Sequence, residues 1–332
     1  MALMPRESGE LIAKLAQNVF IEEEGVKKVA GIVTWYESLM DIVVKNDMPH
    51  YFSGDMHPTS DHPRAVDWIF VQDILNFCFW PAEWKVQSYG GYFGLCKALK
   101  RAREGKPIVD PAYYSKITRS ELKHILRGDN PNVKIPLLDE RLKNLWEAGK
   151  ILLDKYQGTF VECVKSCDGS AEKLLNLVVN EFESFQDEAD YHGHRVGIYK
   201  RAQILVADIW ACFRGQGIGY FHDIDYLTMF ADYRVPQVLA HFGALRYSDI
   251  FLSDVELENG GEEEVEIRGC SIECVERIKQ EVKELIKQNP TAKVKESDIH
   301  SVIVDYILWD YRRENDKQVS KTRYHKTRCI YY

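Results

Sequence analysis

The chain has 332 residues, 45% of them hydrophobic and eight of them cysteine, with a formal net charge of −8. That is ample apolar material for a sizeable core, while the acidic balance excludes a broad nucleic-acid or anionic-membrane surface, which attracts its partner through excess Lys and Arg. No window approaches the roughly 20 apolar residues of a membrane helix, and the start Met1-Ala2-Leu3-Met4-Pro5-Arg6-Glu7 lacks a signal-peptide core, so the cysteines read as reduced thiols of a cytoplasmic protein.

Residues 8–19 and 26–40 have mostly helical spacing, with Val26, Val29, Ala30, Val33 and Leu39 on one side. Residues 45–63 then carry Pro49, Pro58, Pro63, Gly54 and the histidines His50, His57 and His62, which makes a loop that cannot continue a helix and a candidate pocket wall. Residues 66–80 set Trp68, Phe70, Phe77, Phe79 and Trp80 around Asp67, Asp73 and Asn76, a core block or the lining of a base site. Residues 84–94 alternate polar and aromatic side chains around Gly90-Gly91, the one strand or hairpin signal in the first half. Helices are predicted over 95–103, 120–126 and 138–156, closed by Gly105, Gly128 and Gly158.

Ser170 is placed to cap a helix over 171–181, and a polar loop to Gly197 follows. Residues 199–213 are apolar nearly all round, the mark of a central helix. Lys200 and Arg201 stand at its start, where positive charge opposes the helix dipole, so they are either solvated charges or partners of an anion such as a phosphate. A helix over 235–245 ends near Gly243; the acidic stretch 253–266 reads as a solvated, mobile loop, and 271–288 as an amphipathic helix stopped by Asn289-Pro290. Asp298 is placed to cap a helix over 299–313, whose packed arc contains Asp310 and is bordered by Asp305. Cys163/Cys167 and Cys270/Cys274 have helical spacing but not zinc-knuckle spacing, and His192-Gly193-His194 reads as an exposed polar loop; no metal is expected.

The stretch 217–239 organises the chain, since it sets Asp223, Asp225 and Asp232 among Tyr220, Phe221, Tyr226, Phe230 and Tyr233, with a break at Pro236. Acids among rings keep their charge only if hydrogen-bonded or faced by a cation, which suits a flat polar ligand developing positive charge. The structural alternative makes Asp223 or Asp225 a helix cap and pairs Asp232 with Arg234.

Phe230-Ala231-Asp232-Tyr233-Arg234-Val235-Pro236-Gln237, the string from Tyr199-Lys200-Arg201 to Asp208, and Asp305-Tyr306-Ile307-Leu308-Trp309-Asp310-Tyr311 resemble the signatures of the queuosine salvage family, the queuosine 5'-phosphate N-glycosylases. The likeness runs from Pro5-Arg6-Glu7-Ser8 and Val29-Ala30, through Asp73 to Phe77 and Phe79-Trp80, to Arg328-Cys329-Ile330-Tyr331-Tyr332. It implies one mainly α domain over 1–332, similar to the helical DNA glycosylases, with a small β element. It also implies hydrolysis of the N-glycosidic bond of queuosine 5'-phosphate to queuine and ribose 5-phosphate, by a monomer that needs no cofactor. Asp232 matches the family's catalytic acid; Phe230 would contact the base, and Asp305, Tyr306 and Asp310 match positions that hold the queuine head. The family also uses an N-terminal loop histidine, taken here as His57, with His50 and His62 competing. Lys200 and Arg201 are the candidate phosphate contacts. The rival readings are a non-catalytic modified-base or nucleotide-binding protein and a DNA glycosylase, the latter disfavoured because duplex binding needs a basic face.

Overall fold

Capping oxygens mark where many helices begin. Thr118, Thr159 and Ser170 accept the backbone N–H groups of Glu121, Val161 and Lys173, and Asp110 accepts that of Ala112, opening the helices Arg119–Ile125, Phe160–Lys165, Ala171–Glu181 and Pro111–Tyr114. The computed structural model describes residues 2–36, 39, 56–80, 83–248, 256–289 and 291–332. Among these residues the protein is mainly α, with three two-stranded antiparallel sheets as its small β part.

The contacts divide into two units, each drawn from three segments, so no single cut in the sequence separates them. The first is Met1–Tyr51, Asp187–Gln203 and Ile224–Arg328; the second is Phe52–Gln186, Ile204–Asp223 and Cys329–Tyr332. The boundary falls inside the helix Lys200–Cys212.

In the first unit the helix Glu262–Gln288 is central, and Pro5–Leu15, Glu23–Trp35, Arg234–His241 and Ser301–Glu314 pack on it. Val19–Ile21 pairs with Leu245–Tyr247, and Glu188–Tyr191 with His194–Gly197. The second unit packs Ala65–Ile74, Gly91–Arg103, Arg119–Ile125, Leu138–Lys155, Phe160–Lys165 and Ala171–Glu181, with a Lys85–Val86/Tyr89–Gly90 hairpin. All ten residues of Ala65–Ile74 are buried, and Phe70 stacks on Phe160 at 4.1 Å and meets Phe182 at 5.2 Å, so this aromatic block is core.

Several expected boundaries shift for physical reasons. The first helix runs Pro5–Leu15 and Val19 opens a strand instead; the second ends at Trp35, and residues 37, 38 and 40 lie outside the described set, as do 45–55 of the proline-rich loop, including His50. The first-half hairpin turns at Gln87 and Ser88, both at positive φ, while Gly91 already starts a helix. The loop before Gly197 is a hairpin, because His192 and Gly193 both take the positive φ that a type I′ turn needs. Residues 262–266 are helix rather than solvated loop, with Glu264 and Glu266 buried; residues 253–255 and Pro290 lie outside the described set. Glu266 is accommodated because it accepts Gln17 N–H (3.0 Å), Asn18 N–H (2.8 Å) and the Tyr191 hydroxyl (3.1 Å). Asp298 caps nothing further on: it accepts the Lys295 N–H, and His300 holds the N-cap of Ser301–Glu314.

The first helix and the central one approach through glycine. A Cβ on Gly9 would lie 2.7 Å from the Ile272 side chain, and one on Gly269 would lie 2.6 Å from Ile12 Cβ. Helix propensity alone favours Gly269→Ala by about 1 kcal/mol, whereas forcing a methyl against Ile12 costs about 1–3 kcal/mol in overpacking. The variant is therefore expected to lose up to about 2 kcal/mol in denaturant unfolding, and a gain in stability would refute the close-approach account.

Candidate active site

Residues 227–231 are all buried and belong to no helix or strand, so their backbone polar groups need partners from elsewhere. Side chains distant in sequence supply them. The Arg6 guanidinium donates to the carbonyls of Asp225, Tyr226 (3.2 Å) and Leu227 (3.3 Å). Gln203 Oε1 accepts Thr228 N–H at 2.8 Å, Asp305 Oδ2 accepts Phe230 N–H at 2.9 Å, and Arg268 Nε donates to the Ala231 carbonyl at 2.7 Å. Asp232 follows, half-buried, its N–H donating back to the Phe230 carbonyl at 2.7 Å.

The Asp232 carboxylate is thereby fixed without being neutralised. Oδ1 accepts the Arg234 backbone N–H at 2.6 Å, at the start of Arg234–His241, and no ion pair to Asp232 is found among the described residues. The expected structural pairing with the Arg234 side chain is not formed. That guanidinium donates to Gln237 Oε1 (3.1 Å) and lies over the rings of Tyr324 (4.6 Å) and Tyr233 (4.9 Å). The other two acids of the stretch are committed: Asp223 accepts from the Ser170 hydroxyl and the N–H groups of Ala171 and Glu172, a second cap on Ala171–Glu181, while Asp225 pairs with Lys279 at 3.1 Å.

The remaining candidates divide by unit. Phe230, Asp232, Asp305, Tyr306, Asp310, Lys200 and Arg201 belong to the first, and His57 to the second. The Phe230 ring meets Tyr306 edge-on at 6.0 Å, and Asp305, Tyr306 and Asp310 are all buried on Ser301–Glu314, as the packed-arc reading requires. Asp310 lies close enough to Tyr36 that, after burial and the contact with Glu314, its charge helps push the Tyr36 hydroxyl up. Lys200 and Arg201 are 5% and 1% exposed, which overturns the solvated-charge alternative. The Lys200 backbone N–H donates to Asp187 Oδ2 at 3.0 Å, and its ammonium has no hydrogen-bond or ion-pair partner among the described residues. His57 is buried, with Nε2 2.8 Å from the Tyr92 hydroxyl and 4.0 Å from Cys96 Sγ; burial pushes its pKa down to about 3, so the ring is neutral. His62 is instead engaged by Arg103 at 2.7 Å and by Arg64 N–H at 3.1 Å.

Comparison with known proteins places these residues in a lineage. A family profile described as "Queuosine salvage protein" matches residues 56–332. The chain belongs to the queuosine salvage protein family. Its relatives include the queuosine 5'-phosphate N-glycosylase/hydrolase of Bos taurus, 43% identical with 99% of both chains covered, and that of Mus musculus, 41% identical with the same coverage. The Schizosaccharomyces pombe protein of the same name is 34% identical over 93% of this chain and 91% of its own.

Sequence reasoning missed the residues that build the frame. Arg6 carries no role in the family likeness, and Asp187, Gln203 and Arg268 are not singled out there; for Arg6, Gln203 and Arg268 the available signal is a polar residue on the packed side of a helix, which demands a partner, whereas Asp187 lies in the irregular chain before Glu188–Tyr191 and gives no such signal. His192, Glu262 and Glu266 each bring a ligand-type atom within 4.8 Å of the others, but Glu266 already serves three donors, and the trio is otherwise exposed. All eight cysteines are buried, and none is in a disulfide.

His300 gives the frame a pH dependence. It is buried, faced by Asp225, Lys279 and Lys283, and burial lowers its pKa from 6.5 to about 4. The unfolded chain then takes up the proton first, so stability is full above about pH 6.5 and is lost as pH falls from there through about 4. His300→Asn, which puts a favourable N-cap residue at the same position, should shrink the stability difference between pH 7 and pH 5 by about 2 kcal/mol in denaturant unfolding. An unchanged difference would show that His300 is protonated without penalty.

Proposed function

We propose that this chain, acting as one domain over 1–332, hydrolyses the N-glycosidic bond of queuosine 5'-phosphate, the nucleotide in its relatives' names, to queuine and ribose 5-phosphate. The observation that carries the site assignment is the Asp232 carboxylate: one oxygen is held by a backbone N–H, with no cation paired to it among the described residues, in a buried loop that side chains pin. Cleavage transfers the bonding pair of the C1′–N bond to the base and leaves oxocarbenium charge on the ribose. A preplaced anion under C1′ lowers that barrier electrostatically or by transient covalent capture, after which water adds to C1′ and a proton reaches the departing base. Because queuine is a 7-deazapurine, it has no ring N7 to protonate, so contacts to the remaining base edge must help it leave.

In this reading Phe230 and Tyr306 face the base, and Asp310 accepts from its N–H edge or side-chain ammonium. Asp305, read from sequence as a second base contact, is given a loop-holding part by its bond to Phe230 N–H. His57 stays as the family's loop histidine by resemblance, offering a hydrogen bond from a neutral ring. Lys200, together with Arg201, meets the 5'-phosphate; Arg195, by contrast, is committed to Glu188 (3.0 Å) and Asp190 (3.1 Å). The same reading takes the helical arrangement as similar to the DNA glycosylases, and the protein as a cytoplasmic monomer that acts on the free nucleotide without metal, cofactor or direct nucleic-acid contact.

Incubation with the nucleoside and with its 5'-phosphate, following free base, tests the activity; binding without release would favour a non-catalytic binder. Asp232→Asn keeps an oxygen for the Arg234 N–H while removing the charge, so turnover should fall at least about a hundredfold with folding and base affinity retained. Near-normal turnover would remove Asp232 from the mechanism. Lys200→Met keeps the apolar stem and deletes the ammonium, so the kcat/KM ratio of nucleotide over nucleoside should fall at least about tenfold, roughly 1.4 kcal/mol, without loss of thermal stability. An unchanged ratio would move the phosphate to other cations, Arg234 first.

A further inference from the structure

Arg268 is 1% exposed, in the second turn of the central helix, and spends its guanidinium in three directions. Nε donates to the Ala231 carbonyl at 2.7 Å, one residue before Asp232. Nη1 and Nη2 grip both oxygens of Asp187, at 2.9 and 2.5 Å, and Nη1 also reaches Glu264 at 3.0 Å, one helical turn away. Asp187 in turn joins the start of the Lys200–Cys212 helix. Its Oδ2 accepts the Lys200 N–H at 3.0 Å, and its main-chain carbonyl accepts Ile198 N–H at 2.9 Å. A continuous chain of charge-assisted bonds therefore runs from the Lys200 backbone through Asp187 and Arg268 to the peptide that carries Asp232.

A buried ion pair adds little net stability over well-packed apolar side chains, so stability alone does not account for this one; what it supplies is geometry. Only a planar fork can bind one carboxylate with two nitrogens while the third addresses a carbonyl, and a lysine ammonium at this position can make one of these contacts but not the set. We propose that Arg268, acting through Asp187, is the positioning residue of the site: it sets Asp232 and the cationic helix start at one fixed spacing, so that phosphate recognition and bond cleavage act on the same substrate pose. The inference rests on the roles of Asp232 and Lys200 given above.

The test uses the full chain with Arg268→Lys, assayed well below its melting temperature. kcat for the nucleotide should fall at least about tenfold while the dissociation constant of free queuine stays within about threefold, and the nucleotide-over-nucleoside preference should shrink with it. Asp187→Asn, which keeps an oxygen for the Lys200 N–H but weakens the grip on Arg268, should reproduce the pattern. The double variant should be no worse than the more impaired single one, because the pair acts as a unit. Amide hydrogen exchange should quicken in peptides covering 227–234 and 198–202 while the rest of the Glu262–Gln288 helix keeps its protection. Folded variants with unchanged kcat, or exchange that quickens along the whole central helix, would reduce Arg268 to a general structural part and overturn the proposal. If the unsubstituted chain releases no base, the catalytic reading fails on its own, and the exchange pattern alone decides whether Arg268 holds the two segments.

Discussion

The structure turns on a buried stretch of backbone that has no ladder to join. Residues 227–231 are shielded from water, yet their peptide groups form no helix or sheet, and leaving such groups unpaired costs about 1–3 kcal/mol each. The fold meets this by sending polar side chains inward from helices whose faces are otherwise apolar: Arg6, Gln203, Arg268 and Asp305. Each would be an error in a plain helical core. The second unit solves the same problem in the same way, with fully buried Arg141 donating to the carbonyls of Leu75, Phe77 and Cys78 along the irregular chain that follows Ala65–Ile74, and to Pro136 at 3.0 Å. Arginine suits both places because its donors diverge in a rigid plane.

This use of side chains as backbone partners separates structural acids from chemical ones. Glu266 receives three donors, Asp223 receives three, and Asp225 is paired with Lys279 and lies 3.9 Å from Lys283. Each of these carboxylates has its charge answered inside the protein. Asp232 is held by a single backbone N–H and carries its charge on a frame that other residues keep still, the condition for an anion that stabilises a transition state without reorganising. Proximity to aromatic rings does not distinguish the two kinds, since Asp223 and Asp232 share one aromatic stretch.

Most helices were legible in the sequence because apolar periodicity and caps agree: Ser170 caps as expected, and Asp310 lies buried on the packed face of Ser301–Glu314. The strands were less visible. Val19–Ile21 and Leu245–Tyr247 are three residues each, too short for alternation to register, and the Glu188–Gly197 hairpin is announced only by the positive-φ pair His192-Gly193. Residues 262–266 misled because a run of glutamates resembles a solvated loop, when Glu264 meets Arg268 one helical turn on and Glu266 has distant partners that no local pattern reveals. The candidate site followed the same rule. Asp232, Phe230, Tyr306 and Asp310 stand out through composition and family likeness, whereas Arg268 and Asp187 make sense only once a helix 81 residues away in the chain is seen to meet the segment before Lys200.

Lys200 shows why that segment matters energetically. Lys200 is only 5% exposed as a residue, and at a helix start the backbone dipole opposes its positive charge. Asp187 does not answer that charge, because it turns both oxygens to Arg268 and meets Lys200 through the backbone N–H rather than the ammonium. In the proposed reading a doubly charged phosphate on the ligand would supply the ion pair that the described residues do not, so part of the substrate's binding energy would arise from answering a charge already placed in the free protein. That energy would be available only to the nucleotide. Because the same Asp187 grips Arg268, which holds the Asp232 peptide, that energy would on this reading be delivered at a defined distance from the carboxylate, where it would hold the ribose in place for cleavage rather than merely tighten binding.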